Sequence, residues 1–162
     1  MFENLFKDLR AVLRNGCLIS GMDCSDIEFD IDKDNIRSHK SAVYIVYRND
    51  EVIYVGYTGY FNENKPKSNR PCCSKHSIAK YLDNTCQIQV LYNLPKVVAH
   101  TLEAYLIKYS GKQLTKRGQD WSGDGYLLNK RYEKKWEKLI DKFIIKNGDH
   151  PFSFTWRQTN DN

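Results

Sequence analysis

Residues 41–59 read SAVYIVYRNDEVIYVGYTG, and no other stretch restricts the fold of this chain so strongly. Two runs rich in β-branched and aromatic residues, 43–47 and 52–55, flank the polar tetrad Arg48-Asn49-Asp50-Glu51. That pattern predicts a β-hairpin with Asn-Asp at its tip. Tyr44 and Tyr54 fall at matching places in the two strands, and Gly56 comes soon after the second. Tyrosine suits a half-buried pleated face, so packing alone accounts for such a pair. A glycine inside a strand, however, marks a bulge or a close approach of something to the backbone.

The rest of the chain alternates helical and extended patterns around this hairpin. Phe2, Leu5, Phe6, Leu9 and Leu13 recur at helical spacing and stop at Asn15-Gly16, predicting an opening amphipathic helix. The acidic stretch that follows, from Asp23 to Asp34, resembles a calcium loop only superficially. With Asp30 as its first position, Asn35 stands where the loop needs glycine and Ser41 where it needs a bidentate glutamate. A solvated segment or a short edge strand through Ile27, Phe29 and Ile31 is the expectation there. After the loop YTGYFNENKPKSNR, Pro71 opens a helical stretch through Lys75, His76, Ala79 and Leu82. Residues 86–94 alternate Ile88, Val90 and Tyr92 against Gln87, Gln89 and Leu91, predicting a third strand. Pro95 precedes a strong helix with Val98, Leu102, Tyr105 and Tyr109 on one stripe, ended by Gly111. The glycine-containing stretch 112–131 reads as a functional loop. Tyr132, Trp136, Leu139, Phe143 and Ile144 predict a last amphipathic helix, before a short tail. The order makes a small α+β domain.

Length and charge bound what such a domain does. With 162 residues the chain suits one modest core. Residues 1–41 hold six of the 25 basic and eight of the 20 acidic side chains, leaving 19 bases against 12 acids in the remainder. A basic body is compatible with a polyanionic partner such as nucleic acid. The apolar runs are too short to span a bilayer, and MFENLFKDLR carries acids where a secretory leader needs an apolar stretch, so no membrane association is expected. Five irregularly spaced cysteines argue for free thiols in a reducing, cytoplasmic setting.

Ala42-Val43-Tyr44, nine intervening residues and Tyr54-Val55-Gly56 resemble the paired signature of the GIY-YIG nuclease family. In that family a helix with a histidine follows the hairpin, then a strand, a helix with a metal-binding glutamate, and an asparagine at the end of a loop. His76, Glu103 and Asn129 occur here in that order, within surroundings (AHTLEAYLIKYSGK and GYLLNKR) similar to the family's. The resemblance covers about residues 42–131. It implies a GIY-YIG-like core with an antiparallel three-stranded sheet flanked by helices. Residues 1–41 would form an N-terminal helix and acidic extension, and 132–162 a C-terminal helix and tail packed on the core.

The chain departs from the family pattern in three places. Ala42 replaces a frequent glycine, and Tyr57 stands where a basic or small residue is commoner. Residues 62–68 look like an insertion that leaves Arg70 as the candidate catalytic arginine, with Lys67 and Lys75 as substitutes.

The implied activity is Mg²⁺- or Mn²⁺-dependent hydrolysis of phosphodiester bonds in double-stranded DNA, of the compact restriction type. Tyr44, Tyr54, Arg70, His76, Glu103 and Asn129 are the implied catalytic set, with Glu103 holding the metal. Glu103 also stands out independently of the family. Its neighbours at three and four residues are His100, Leu106, Ala99 and Ile107, so no lysine or arginine along the helix complements it. A carboxylate at the rim of an apolar stripe suits a divalent cation, and one carboxylate with phosphate oxygens and waters suffices for Mg²⁺. A tyrosine with its ordinary pKa near 10 is a poor base at neutral pH, so the mechanism requires positive surroundings that favour the phenolate. The implied duplex contacts are Lys67, Lys75, Lys112, Lys116, Arg117, Lys130 and Arg131, with basic side chains tracking phosphates. A homodimer would cut both strands symmetrically. Two alternatives compete: a protein that binds nucleic acid on this scaffold without cutting, favoured by the displaced arginine, and a zinc module of Cys72, Cys73, His76 and Cys86, disfavoured because adjacent cysteines make a poor tetrahedral pair.

Overall fold

The computed structural model describes residues 18–25, 39–62 and 77–140. Within them lies a mixed α+β domain. A four-stranded sheet is built from β1 (Leu18–Asp23), β2 (Ser41–Arg48), β3 (Glu51–Thr58) and β4 (Cys86–Leu94), in the order β1-β4-β2-β3. Helix α1 (Lys96–Tyr109) follows β4 directly.

The hairpin forms as its sequence predicts. Asn49 and Asp50 both take positive φ, 50° and 67°. Asn and Asp tolerate that conformation, and two such residues give the turn whose twist matches paired strands. The pairing then slips: Val46 faces Tyr54 but Tyr47 faces Val52, leaving Ile53 as an extra residue. This bulge puts Ile53 and Tyr54 on the same side of the sheet as Tyr44.

β2 is buried along nearly its whole length because it is central and covered on both faces. On one face α1 lays Val98, Ala99, Leu102, Leu106 and Ile107 over Val43, Ile45, Val55, Leu91 and Leu94. On the other, Tyr44, Val46, Ile53, Ile88, Val90 and Tyr92 are covered by Phe61, Ile78, Leu82 and Leu128.

Several expectations are corrected. The sheet is mixed, because β1 adds a strand parallel to β4 at the edge away from the hairpin. The stretch LISGMD lacks the alternation that would reveal a strand, and its pairing depends on the exposed side of β4, which only the fold supplies. The buried face of α1 is also rotated from the predicted stripe. Ala99, Ala104, Leu106 and Ile107 are buried with Val98 and Leu102, while Tyr109 is 55% exposed and stacks on half-buried Tyr105 at 5.6 Å. Small and aliphatic side chains fit closely on a pleated surface, whereas tyrosines at the rim keep their hydroxyls wet. Gly111 takes φ 67° just beyond the helix, as its predicted stop requires. Of the stretch opened by Pro71, the described part holds one 3₁₀ turn, Ala79–Tyr81, with Leu82 already extended. Of the last predicted helix, the described part is a 3₁₀ segment, Lys134–Leu139. The opening helix, the strand through Ile27 to Ile31, the body of the loop 57–70 and the tail lie outside the described residues.

Candidate active site

Gly56 is required by the position of a neighbouring ring. Tyr44 and Gly56 are cross-strand partners, and a Cβ added at Gly56 would fall within the Tyr44 ring. The ring fills the space that a side chain at position 56 would need, so no other residue fits there without displacing it. Tyr54, two residues before Gly56, then meets Tyr44 diagonally, with ring centroids 5.8 Å apart and planes tilted by 30°. Tyr44 is 1% exposed; Tyr54 is half-buried.

Asn129 secures the outer edge of β3 beside this pair. Its Oδ1 accepts from the Val55 N–H at 3.0 Å, and its own amide donates to the Val55 carbonyl at 2.6 Å. The neighbouring Leu128 N–H donates to the Ile53 carbonyl at 2.6 Å. A side-chain amide thus stands in for a missing strand neighbour, satisfying two buried backbone groups at once. The loop that carries Asn129 is itself tied down. β5 (Gln113–Leu114) and β6 (Tyr126–Leu127) form a two-residue parallel ladder, and the Thr115 hydroxyl donates to the Leu127 carbonyl at 2.6 Å. Trp121 donates to the Tyr126 carbonyl at 2.7 Å, with the Arg48 guanidinium over its ring at 5.2 Å.

A cleft of about 510 Å³ opens at this edge and draws its lining from both sides of the sheet. The hairpin contributes Tyr44, Tyr54 and Tyr57, α1 contributes His100 and Glu103, and the loop contributes Asn129, Lys130 and Arg131. Lys80 and Tyr81 form another wall, where both meet the Asp120 carboxylate, at 3.4 and 3.5 Å. The His100 imidazole is sandwiched between Tyr57, 3.9 Å away, and Trp136, 4.7 Å away and parallel within 2°. Burial lowers its pKa below the usual imidazole range; the Glu133 carboxylate opposes that shift, and Lys96 and Lys135 add to it.

Four of the six predicted catalytic positions, Tyr44, Tyr54, Glu103 and Asn129, therefore line one cleft. Arg70 and His76 lie outside the described residues, as do Lys67 and Lys75. Among the predicted phosphate contacts, Lys130 and Arg131 line the cleft, and Lys116 and Arg117 are exposed on the same loop. Lys112 is placed differently: its ammonium donates to the Val52 carbonyl at 2.8 Å and pairs with Glu51 at 3.1 Å, bracing the hairpin. Of the zinc-module residues, only Cys86 is described, and it is fully buried in the core.

Among the described residues no three His, Cys, Asp or Glu side chains gather as a metal site. A hard cation such as Mg²⁺ does not need three, since it is held by one or two carboxylates and completes its shell with water and phosphate oxygens. Glu103, half-buried in the lining of an open cleft, fits such a group.

Sequence reasoning missed Tyr57, Lys80, Tyr81, His100 and Trp121 as cleft residues. His100 had a visible signal, three residues before Glu103 on the same helix; the others come together only through the fold. No family model, no curated protein and no solved structure matches the chain. No described helix is long and apolar enough to cross a membrane.

Proposed function

We propose that this chain is a metal-dependent endonuclease of the GIY-YIG type that hydrolyses phosphodiester bonds in double-stranded DNA, site-specifically as restriction enzymes do, in the cytoplasm. The observation that carries the reading is the shared cleft. Tyr44, Tyr54, Glu103 and Asn129 come from β2, β3, α1 and a loop, yet they line one cavity whose wall also holds Lys130 and Arg131.

The residues divide the work by their surroundings. Tyr54 is the more accessible phenol and faces the attacking water. Tyr44, buried over Gly56, sets the position of Tyr54 and the shape of the cleft floor. Lys130 and Arg131 supply positive charge that favours a phenolate and attracts the phosphate. Asn129 keeps β3 from shifting, so the tyrosines need no reorganisation as charge develops. Glu103 would hold Mg²⁺ or Mn²⁺, which when bound stabilises charge on the phosphate and the leaving oxygen. Arg70 and His76 complete the set on the resemblance alone. Two clefts in a two-fold dimer would address both strands of a duplex.

The test is incubation of the purified protein with plasmid and genomic DNA in Mg²⁺ or Mn²⁺, beside Glu103→Ala and an EDTA control. Discrete fragments, absent from both controls, are expected. A smear with the same dependence would remove site specificity from the reading. No cleavage, with salt-sensitive DNA retention by both proteins, would replace it with a binding-only protein.

A further inference from the structure

We infer that Lys80 and Asp120 form a base-reading subsite on the cleft wall that takes the major-groove edge of a G·C pair, with the carboxylate accepting from the cytosine amino group and the ammonium donating to guanine. The inference rests on the reading of the cleft as a duplex-DNA site and adds a sequence preference that the catalytic set does not supply.

The cleft has two chemically different walls. In the proposed reaction Tyr54, Glu103, Lys130 and Arg131 serve the phosphate, and phosphate contacts carry no sequence information. Lys80, Tyr81, Asp120 and Trp121 line the same cleft and take no part in that chemistry. The Lys80 ammonium and the Tyr81 hydroxyl donate to Asp120 at 3.4 and 3.5 Å. Both contacts fall on Oδ1, so Oδ2 keeps its lone pairs for another donor, and the ammonium keeps donors to spare. The Lys80 and Asp120 side chains are 63% and 88% exposed, within reach of a macromolecule.

The segments carrying this pair are braced from behind. Arg48, at the end of β2, donates to the Tyr81 carbonyl at 2.5 Å, pairs with Asp83 at 3.3 Å and lays its guanidinium over the Trp121 ring. Tyr81 meets Trp121 edge-on at 5.9 Å. The 3₁₀ turn with Lys80 and the loop with Asp120 are thereby held together by contacts that do not involve the pair. An exposed ion pair contributes little to stability, so the bracing sets the position of the pair and does not depend on it. Residues that read a ligand need that kind of support.

Charge and edge chemistry select the ligand. A lone carboxylate repels the DNA backbone, whereas one neutralised by a lysine can come close to base edges. In the major groove guanine offers N7 and O6 to a lysine, and cytosine offers its N4 amino group to an aspartate. The amino group of adenine lies between two acceptors, its own N7 and thymine O4, which repel a carboxylate; that of cytosine has an acceptor on one side only. A cation and a carboxylate side by side therefore fit G·C better than A·T.

The experiment measures DNA binding in EDTA at one fixed salt concentration. Poly(dG-dC), poly(dI-dC) and poly(dA-dT) compete for protein bound to a fluorescein-labelled duplex of mixed sequence. Inosine lacks only the minor-groove amino group of guanine, so poly(dI-dC) combines the major groove of G·C with a minor groove like that of A·T. Wild type is expected to bind poly(dG-dC) and poly(dI-dC) equally, each about tenfold more tightly than poly(dA-dT). Asp120→Ala and Lys80→Ala should each lose most of that margin, while Lys130→Ala, a phosphate contact, should weaken all three alike. Equal competition by the three polymers in wild type, poly(dI-dC) behaving as poly(dA-dT), an unchanged margin in both wall variants, or no DNA binding would each overturn the inference. Cleavage assays in Mg²⁺ or Mn²⁺ on the same preparations separate it from the nuclease reading. A G·C margin without cutting would keep the subsite and overturn the nuclease; cutting without a margin would do the reverse.

Discussion

The two faces of the sheet are built from the same strands but closed by different means. Under α1 the contacts are mostly aliphatic, and one regular element supplies most of the cover. On the other face Tyr44 and Tyr92 join an otherwise aliphatic floor, and the cover is Phe61, Ile78, Leu82 and a loop residue, Leu128. A helix covers a sheet continuously because its side chains repeat along one stripe. Short irregular pieces leave gaps, and at the edge of β3 the gap is the cleft. The core under α1 therefore carries stability, and the cleft at the sheet edge, which the rim of α1 also lines, is where a substrate has room.

Substitutions test that division. The sharpest contrast pairs Glu103→Gln with Leu102→Ala, adjacent on α1. Glu103→Gln is expected to lower DNA cleavage by about a thousandfold, on the order of 4 kcal/mol of barrier, with its urea midpoint unchanged. Leu102→Ala, fully buried, should lose about 3 kcal/mol of stability by urea denaturation. Metal-dependent cutting at saturating cation should survive in the molecules that remain folded. If Glu103→Gln destabilised as much as Leu102→Ala, the division between core and cleft would fail.

Gly56→Ala strikes the patched face from within. The new methyl must displace the Tyr44 ring, at a cost of about 2–3 kcal/mol. Cleavage should fall further than stability explains, because Tyr54 loses its neighbour; near-ultraviolet circular dichroism of the tyrosines reports the displacement. Asn129→Ala leaves the Val55 N–H and carbonyl without partners and should cost about 2 kcal/mol, with faster amide exchange at Val55.

The smallest effect belongs to the far edge of the sheet. Burial pushes the Asp23 carboxyl up, but hydrogen bonds from Ser25 and Asn93 outweigh it and hold the pKa below the usual range. A carboxylate whose folded pKa is depressed contributes stability above its unfolded pKa and loses it as pH falls through the folded value. Thermal melts between pH 5 and pH 2 should fall less steeply for Asp23→Asn than for wild type, with no difference in cleavage at neutral pH.

Local pattern was enough for the hairpin, β4 and α1, because their periodicity or turn chemistry is strong within a few residues. What failed locally was β1, whose residues carry no period and which exists because β4 has an edge to offer. The contacts of Lys112 were not legible either: its sequence neighbourhood reads as a phosphate-binding loop, yet its ammonium lies on the Val52 carbonyl and Glu51 carboxylate of the hairpin.

By itself, then, the sequence determined that the hairpin, β4 and α1 form and that something approaches the backbone at Gly56. The tertiary structure alone decided which residues meet. The Ile53 bulge turns Tyr54 toward Tyr44, and Asn129 finds the edge of β3 across 74 residues of chain. His100 acquires Tyr57 and Trp136 as neighbours only when α1 is docked. The physical reason is that strand and helix periods act over a few residues, whereas an edge, a ring stack and a cleft are made by groups that chain order holds apart.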